Sequence, residues 1–175
     1  MVTARQVAAT EQLLLALDRA SQQLDQRLVK QLAKKFSAGR PSDREVYDHI
    51  FSEVLNQSGT MGKRMHAAVA SAVGTTEVDF APADLDGLGK SVSHITSVVM
   101  DAGKAYVLAG AGSAMKDLVM GQVRSSVASN ARSGRRLYRV ANADACQWCS
   151  ERDGLPAPGG QLSHHDGCGC FVEVR

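Results

Sequence analysis

No cysteine occurs before position 146; all four, Cys146, Cys149, Cys168 and Cys170, lie in the tail of this 175-residue chain. Aromatic residues make up only 5%, so a core has to be assembled from Leu, Val, Ala and Met. There are 4 prolines, and Pro156 and Pro158 fall in the tail, which leaves long stretches open to helix. No hydrophobic run reaches the length needed to span a bilayer. Leu13-Leu14-Leu15-Ala16-Leu17 is short and flanked by Glu11 and Asp18, so it reads as neither a signal core nor an anchor. The expectation is a soluble, non-secreted protein with no membrane partner.

Signatures of catalysis are missing too. There is no G-x-S-x-G elbow and no H-E-x-x-H or H-x-E metal motif. Gly110-Ala111-Gly112-Ser113-Ala114 lacks the glycine and Lys-Ser/Thr of a phosphate loop, and Asp84 with Asp86 falls short of a calcium loop. His49, His66 and His94 stand alone on expected helices. The sequence is therefore read as non-enzymatic, with no catalytic residue assigned.

What is present is mainly helix. Residues 3–36 read as one long helix whose stripe is Leu14, Leu17, Leu24, Leu28 and Leu32, with Ser21 filling the gap. Such a stripe needs a partner, and a hairpin within the chain is preferred over a second subunit. Gly39 and Pro41 break it. Ser42-Asp43-Arg44-Glu45 reads as a capping box opening a helix with Val46, Ile50, Val54 and Leu55 at helical spacing. A weaker helix from about Met61 to Val73 turns Met65 and Val69 inward and stops at Gly74. Residues 75–90, with Pro82, Gly87 and Gly89, read as a linker between a helical region 1–74 and a second region 91–175. The second region opens with a buried helix over 91–109, using Val92, Ile95, Val98, Val99, Ala102 and Val107. Another helix over 113–132 follows, with Met115, Leu118, Val119 and Val123 inward. Arg135 to Val140 then alternates like a short strand, Leu137 and Arg139 on one face, Tyr138 and Val140 on the other. Phe171 to Val174 is its expected antiparallel partner. The fold class is mainly α: helical N-terminal and central regions, then a small C-terminal β-ribbon carrying a zinc-knuckle subdomain.

The knuckle rests on spacing. Cys146-x-x-Cys149 brings two thiolates to one tight turn, and Cys168-x-Cys170 puts two more on one side of an extended segment. His165 precedes Cys168 by three residues, so there are five candidate ligands for the four positions of a structural Zn2+. Cys146 and Cys149 are the firmest; His165 with Cys170, or Cys168 with Cys170, completes the set. His164 reads as a solvent-facing neighbour. Glycines and prolines between the pairs supply the turns that join them. The competing reading is two disulfides, which an oxidising compartment would be required to favour.

Charge is distributed unevenly although the net value is only +2. Between Asp117 and Asp144 no acidic residue occurs, while Arg124, Arg132, Arg135, Arg136 and Arg139 all do. Arg132, Arg135, Arg136 and Arg139 are candidate contacts to phosphate or to an acidic partner; the plainer alternative is a solvated face.

The tail resembles the C-terminal signature of the phage Mu protein F-like family of minor head proteins. The family's C-x-x-C, Asp-Gly and H-x-x-C-x-C elements correspond to Cys146-x-x-Cys149, Asp153-Gly154 and His165-x-x-Cys168-x-Cys170, and Arg124 to Arg139 matches its arginine-rich approach. The likeness covers roughly residues 115–175. Trp148 and the short connecting loop depart from the commoner pattern. The resemblance implies a structural minor capsid protein of a tailed bacteriophage, acting in head morphogenesis near the portal. It implies the portal or major capsid protein as partner, multiple copies in an assembly, and candidate contact with packaged DNA. It also implies a virion location, inside the head or by the neck, after assembly in the host cytoplasm. Two other functions are weighed: a zinc-knuckle nucleic-acid binder using the Arg124–Arg139 segment, and a fragment of a capsid maturation protease fusion.

Overall fold

The computed structural model describes residues 4–103, 110–132, 134–142, 145–158 and 169–175. Among these the chain runs α1 (Ala4–Ala38), α2 (Asp43–Gly59), α3 (Gly62–Val73), α4 (Leu85–Ala102), α5 (Ala111–Asn130), β1 (Leu137–Val140), α6 (Gln147–Ser150) and β2 (Phe171–Val174). The mainly helical class with a small two-stranded antiparallel sheet near the C-terminus is as the sequence indicates. No helix of the described residues is long and apolar enough to cross a membrane.

Helix α1 spans roughly 50 Å at 1.5 Å per residue. It buries Leu13, Leu17, Ala20, Leu24, Leu28 and Leu32 against α3 and α5, so its stripe is covered within the chain. Two positions differ from the expected stripe. Leu13 replaces Leu14 and Ala20 replaces Ser21, because steps of three and four back from Leu24 land on 20, 17 and 13. Leu14 and Ser21 lie beside that row. A Cβ on Gly169 would come within 3.0 Å of Leu14 Cδ2, and one on Gly112 within 2.1 Å of Ser21 Oγ, so each meets another element instead.

The capping box forms as read. Ser42 Oγ accepts the Glu45 N–H at 3.3 Å, and the Glu45 carboxylate accepts the Ser42 N–H at 2.8 Å. That N–H, with the Ser42 hydroxyl donating to the same carboxylate at 2.8 Å, holds the Glu45 carboxyl below its ordinary range. Val46, Ile50 and Val54 are buried on α2, but Leu55 is exposed on the neighbouring face. On α3, Met65 and Val69 are buried, and Gly74 ends the helix in the left-handed region at φ 73°.

Helix α4 starts at Leu85, inside the stretch expected to be linker. Asp84 is the reason: its carboxylate accepts the Gly87 N–H at 2.9 Å and caps a helix whose first turns carry Gly87 and Gly89. Ala102 is exposed at the far end, and Val107 lies outside the described residues. The remaining connection is extended and tied to α5. Ala81 N–H donates to Ser126 Oγ at 3.0 Å, Gln122 Nε2 donates to Ala81 O at 2.9 Å, and Asn130 Nδ2 donates to Asp79 O at 2.7 Å. One hydrophobic cluster runs from Leu13 to Val172. Residues of both 1–74 and 91–175 contribute to it.

Helix α5 is the hub, packing against α1, α2, α3, α4 and β2. Its first turn has no side-chain cap of its own. Asp25 of α1 supplies one, accepting the Gly112 N–H at 2.9 Å. Burial raises the Asp25 carboxyl above its ordinary value, against the lowering pull of that N–H and of Lys116. A raised folded-state value means the folded chain binds more protons in the window just above about pH 4, so Asp25 makes stability fall as pH rises there. Asp25→Asn keeps an oxygen acceptor and removes the titration. Its urea midpoint is expected to gain on the parent as pH rises through that window; a constant difference across pH 3.5 to 7 would refute the assignment.

Candidate metal centre

Strands β1 and β2 pair antiparallel as expected, in the register Leu137 with Val174, Tyr138 with Glu173, Arg139 with Val172 and Val140 with Phe171. The other edge of β1 is also occupied, which the sequence reading missed. Arg139 N–H donates to Leu155 O at 2.9 Å, Gly154 N–H to Arg139 O at 2.9 Å, and Ala157 N–H to Leu137 O at 2.8 Å. Residues 154–157 therefore return alongside β1, and the Cys-x-x-Cys element is the excursion between the two passes.

Local chemistry explains that return. Cys146 is the N-cap of the single turn α6, and Ser150 N–H donates to its carbonyl at 2.9 Å. Asp153 accepts the Ala141 N–H at 2.9 Å, tying the end of the excursion to its start. Gly154 takes φ 73°, a conformation that L side chains resist. The Asp-Gly pair after the second cysteine is thus the hinge that folds the chain back.

The return brings Cys149 and Cys170 together. Cys149 and Cys170 are both buried and pack together with Ala145 as a small cluster separate from the main core. They are 21 positions apart in the chain. Cys146, one turn before Cys149, is exposed. His165 and Cys168, like His164, lie outside the described residues. Gly169 fits tightly before Cys170, where a Cβ would come within 2.8 Å of Asn142 Nδ2.

Arginines surround the pair. Arg139 is 4% exposed and its Nη1 lies 3.8 Å from Cys149 Sγ. Its guanidinium carbon sits 5.2 Å from the centroid of Trp148, and that of Arg152 sits 4.0 Å from the same ring. Arg124, also buried, donates from Nε to the Cys170 carbonyl at 3.1 Å. The basic segment therefore splits: Arg132, Arg135 and Arg136 are exposed, whereas Arg124 and Arg139 face the tail's interior. Alternation had already put Arg139 on the face of Leu137. Taking that face as the inward one was the missing step. Glu173 is a second buried charge the sequence reading passed over; Arg175 donates to its carboxylate while lying 4.7 Å from the Tyr138 ring.

Cysteine sulfur is the donor type that a thiophilic divalent cation takes. Cys149 and Cys170 come together and Cys146 lies one turn from Cys149, but among the described residues no group of three or more His, Cys, Asp or Glu side chains is placed to hold a metal ion. Comparison with known proteins adds a family. A family model described as VG15 protein matches residues 1–174. No curated protein and no solved structure matches the chain.

Proposed function

We propose, from the premise that this chain belongs to the VG15 protein family, a family of phage and viral proteins, that it is a structural minor capsid protein of a tailed phage with a structural zinc site in its tail. It acts in head morphogenesis near the portal, in several copies, with the portal or major capsid protein as its neighbour. It is not an enzyme. The observation that carries this reading is the meeting of Cys149 with Cys170 at the turn made by Asp153-Gly154, where the order of residues resembles that of minor head proteins.

Cys146, Cys149 and Cys170, with His165 or Cys168 as the fourth ligand, would hold the ion. When bound, zinc crosslinks the two arms of the tail as a Lewis acid with no redox role. The chain's own residues fix those arms: Asp153 and Gly154 close the excursion, and Arg124 holds the backbone of Cys170. The exposed Arg132, Arg135 and Arg136 are the residues offered to packaged DNA or to an acidic neighbour.

Three measurements test the reading together. Mass spectrometry of purified phage heads is expected to detect the chain, and deletion of its gene to leave heads that fail to mature. Elemental analysis of the purified chain is expected to find one zinc per molecule, reduced in Cys146→Ser and in Cys170→Ser. Absence of the chain from heads with normal particles after deletion rejects the capsid role. Zinc content unchanged in both variants rejects the site.

A further inference from the structure

We propose that the junction between α5 and β1 is a binding surface for the phosphate backbone of double-stranded DNA, with Arg132, Arg135 and Arg136 as its contacts and Arg175 at its edge. This deepens the reading above, on which the presence of packaged DNA rests, and commits to the DNA backbone over an acidic protein neighbour.

The backbone gathers these side chains. Arg135 N–H donates to Arg132 O at 3.1 Å, closing a turn in which Gly134 takes φ 85°. Arg132 and Arg135 therefore stand at the two ends of one turn. Arg136 then exchanges two hydrogen bonds with Arg175, its N–H donating at 3.1 Å and its carbonyl accepting at 2.9 Å. Residues paired in that way have Cα atoms about 5.5 Å apart and turn their side chains to one face of the ribbon. Tyr138 shares that face, and the Arg175 guanidinium carbon lies 4.7 Å from its ring centroid. Four arginines, from the end of α5, the turn and the pair flanking the two strands, thus meet at one end of the ribbon.

The charge there is uncompensated. Arg132, Arg135 and Arg136 are exposed and form no ion pair among the described residues, whereas Arg27, Arg44, Arg152 and Arg175 each have a carboxylate. Asp79, whose backbone is tied to Asn130 at the end of α5, pairs with none of the three. Among the described residues of 131–140 no large apolar side chain is exposed, and protein interfaces lean on such anchors. A phosphate backbone needs none. A guanidinium stays charged at any working pH and offers a planar fork that matches two phosphate oxygens. Successive phosphates follow at roughly 3.4 Å of rise along each strand of a duplex, close enough for neighbouring arginines to reach more than one. The competing account is a solvated face whose cations serve only the carbonyl end of α5, and it expects no duplex binding.

The test is fluorescence anisotropy of the full-length chain with a labelled mixed-sequence duplex of about 30 base pairs, at salt from about 50 to about 200 mM. The parent is expected to bind with log affinity falling against log salt at a slope of about −3, near −0.9 for each phosphate contact. Arg132→Gln/Arg135→Gln/Arg136→Gln is expected to bind at least about tenfold more weakly at the low-salt end and to lose most of that slope. Arg175 is kept in every variant, because removing it would strand the buried Glu173 carboxylate. Arg19→Gln/Arg40→Gln/Arg64→Gln removes the same charge from exposed arginines elsewhere and is expected to stay within about twofold of the parent. Circular dichroism at 222 nm verifies that the helices persist. Should the first triple variant fail that check, its three single variants carry the test, each expected to lower the slope by about 1. A parent that binds no duplex at the low-salt end overturns the proposal, as does an equal loss in the two triple variants. Polyglutamate that displaces the duplex at equal charge concentration overturns it in favour of an acidic protein neighbour. Absence of the chain from phage heads, with duplex binding by the purified chain intact, defeats the capsid reading instead and leaves this surface standing.

Discussion

Gly112→Ala is expected to destabilise the fold by about 2–4 kcal/mol, the upper range of what one added methyl does in a packed interior. The added Cβ would lie 2.1 Å from Ser21 Oγ, 2.9 Å from Asp25 Oδ2 and 2.9 Å from the carbonyl oxygen of Ser21. A hydroxyl can rotate away, but a backbone carbonyl in the middle of α1 cannot. Relief therefore requires α1 and α5 to separate, and separation breaks the hydrogen bond by which Asp25 caps α5. Two costs fall on one substitution, an overpacked contact and an orphaned helix N-terminus. Ser21→Ala in the same background is expected to restore only part of the loss, since the carbonyl stays. Gly121→Ala, in the same helix, has nothing within 4 Å of its new Cβ and is expected to stabilise by up to about 1 kcal/mol through helix propensity. Urea denaturation followed at 222 nm distinguishes the two. If Gly112→Ala unfolds within 0.5 kcal/mol of the parent (about the scatter of surface substitutions), the close approach of α1 to α5 is not as described.

Much of the fold was legible because local signals and burial agreed. The Ser42–Glu45 box, the stop at Gly74 and the pairing of residues 137–140 with 171–174 all depend on short-range chemistry that sequence displays directly. The misplacements share a different cause. Leu13 and Ala20, rather than Leu14 and Ser21, face the core because the facing helix selects the row, and periodicity alone tolerates an error of one position. The early start of α4 was hidden by Gly87 and Gly89, whose low helix propensity is outweighed by the Asp84 cap and by packing against α2 and α5. The tie between Asp25 and Gly112 crosses 87 positions and leaves no mark in either local sequence.

In the tail, the approach of the two cysteine-bearing segments was legible while the side chains packed around them were not. Cys149 and Cys170 were both candidates, and they meet. Arg139 was counted with Arg132, Arg135 and Arg136 as part of one basic patch because charge is visible in sequence and direction is not. Strand alternation separates it from them: a residue on the inner face of a two-sided ribbon points where its neighbours in the preceding loop do not. Glu173, paired with Tyr138 on the face opposite Arg139, is buried beside Arg175 all the same, so burial along β2 does not alternate.

If the tail holds zinc as proposed, removing it is expected to loosen the Cys146–Pro158 excursion while leaving the helical body and β2 in place. Chelation withdraws a stabilisation of about 4 kcal/mol if free zinc had stood a thousandfold above its dissociation constant. That loss falls unevenly. Phe171 and Val172 are buried in the main cluster with the helices, and Arg124 grips the Cys170 carbonyl, so the second arm keeps anchors that owe nothing to sulfur. The excursion has less apolar support: Trp148 and Leu155 are exposed, and of its described residues Cys149 and Ala157 are the buried ones. A structural ion therefore orders chiefly the part that burial cannot. Trypsin is expected to cut at Arg152 after chelation while Arg139, buried on the strand that pairs with β2, stays protected, and the fluorescence of Trp148, the single tryptophan, is expected to change at the same chelator concentration. Helical ellipticity is expected to hold. Loss of ellipticity in step with tryptophan emission would show that the ion supports the whole core, and unchanged cleavage and emission after the metal is gone would show that the excursion is held by its own hydrogen bonds.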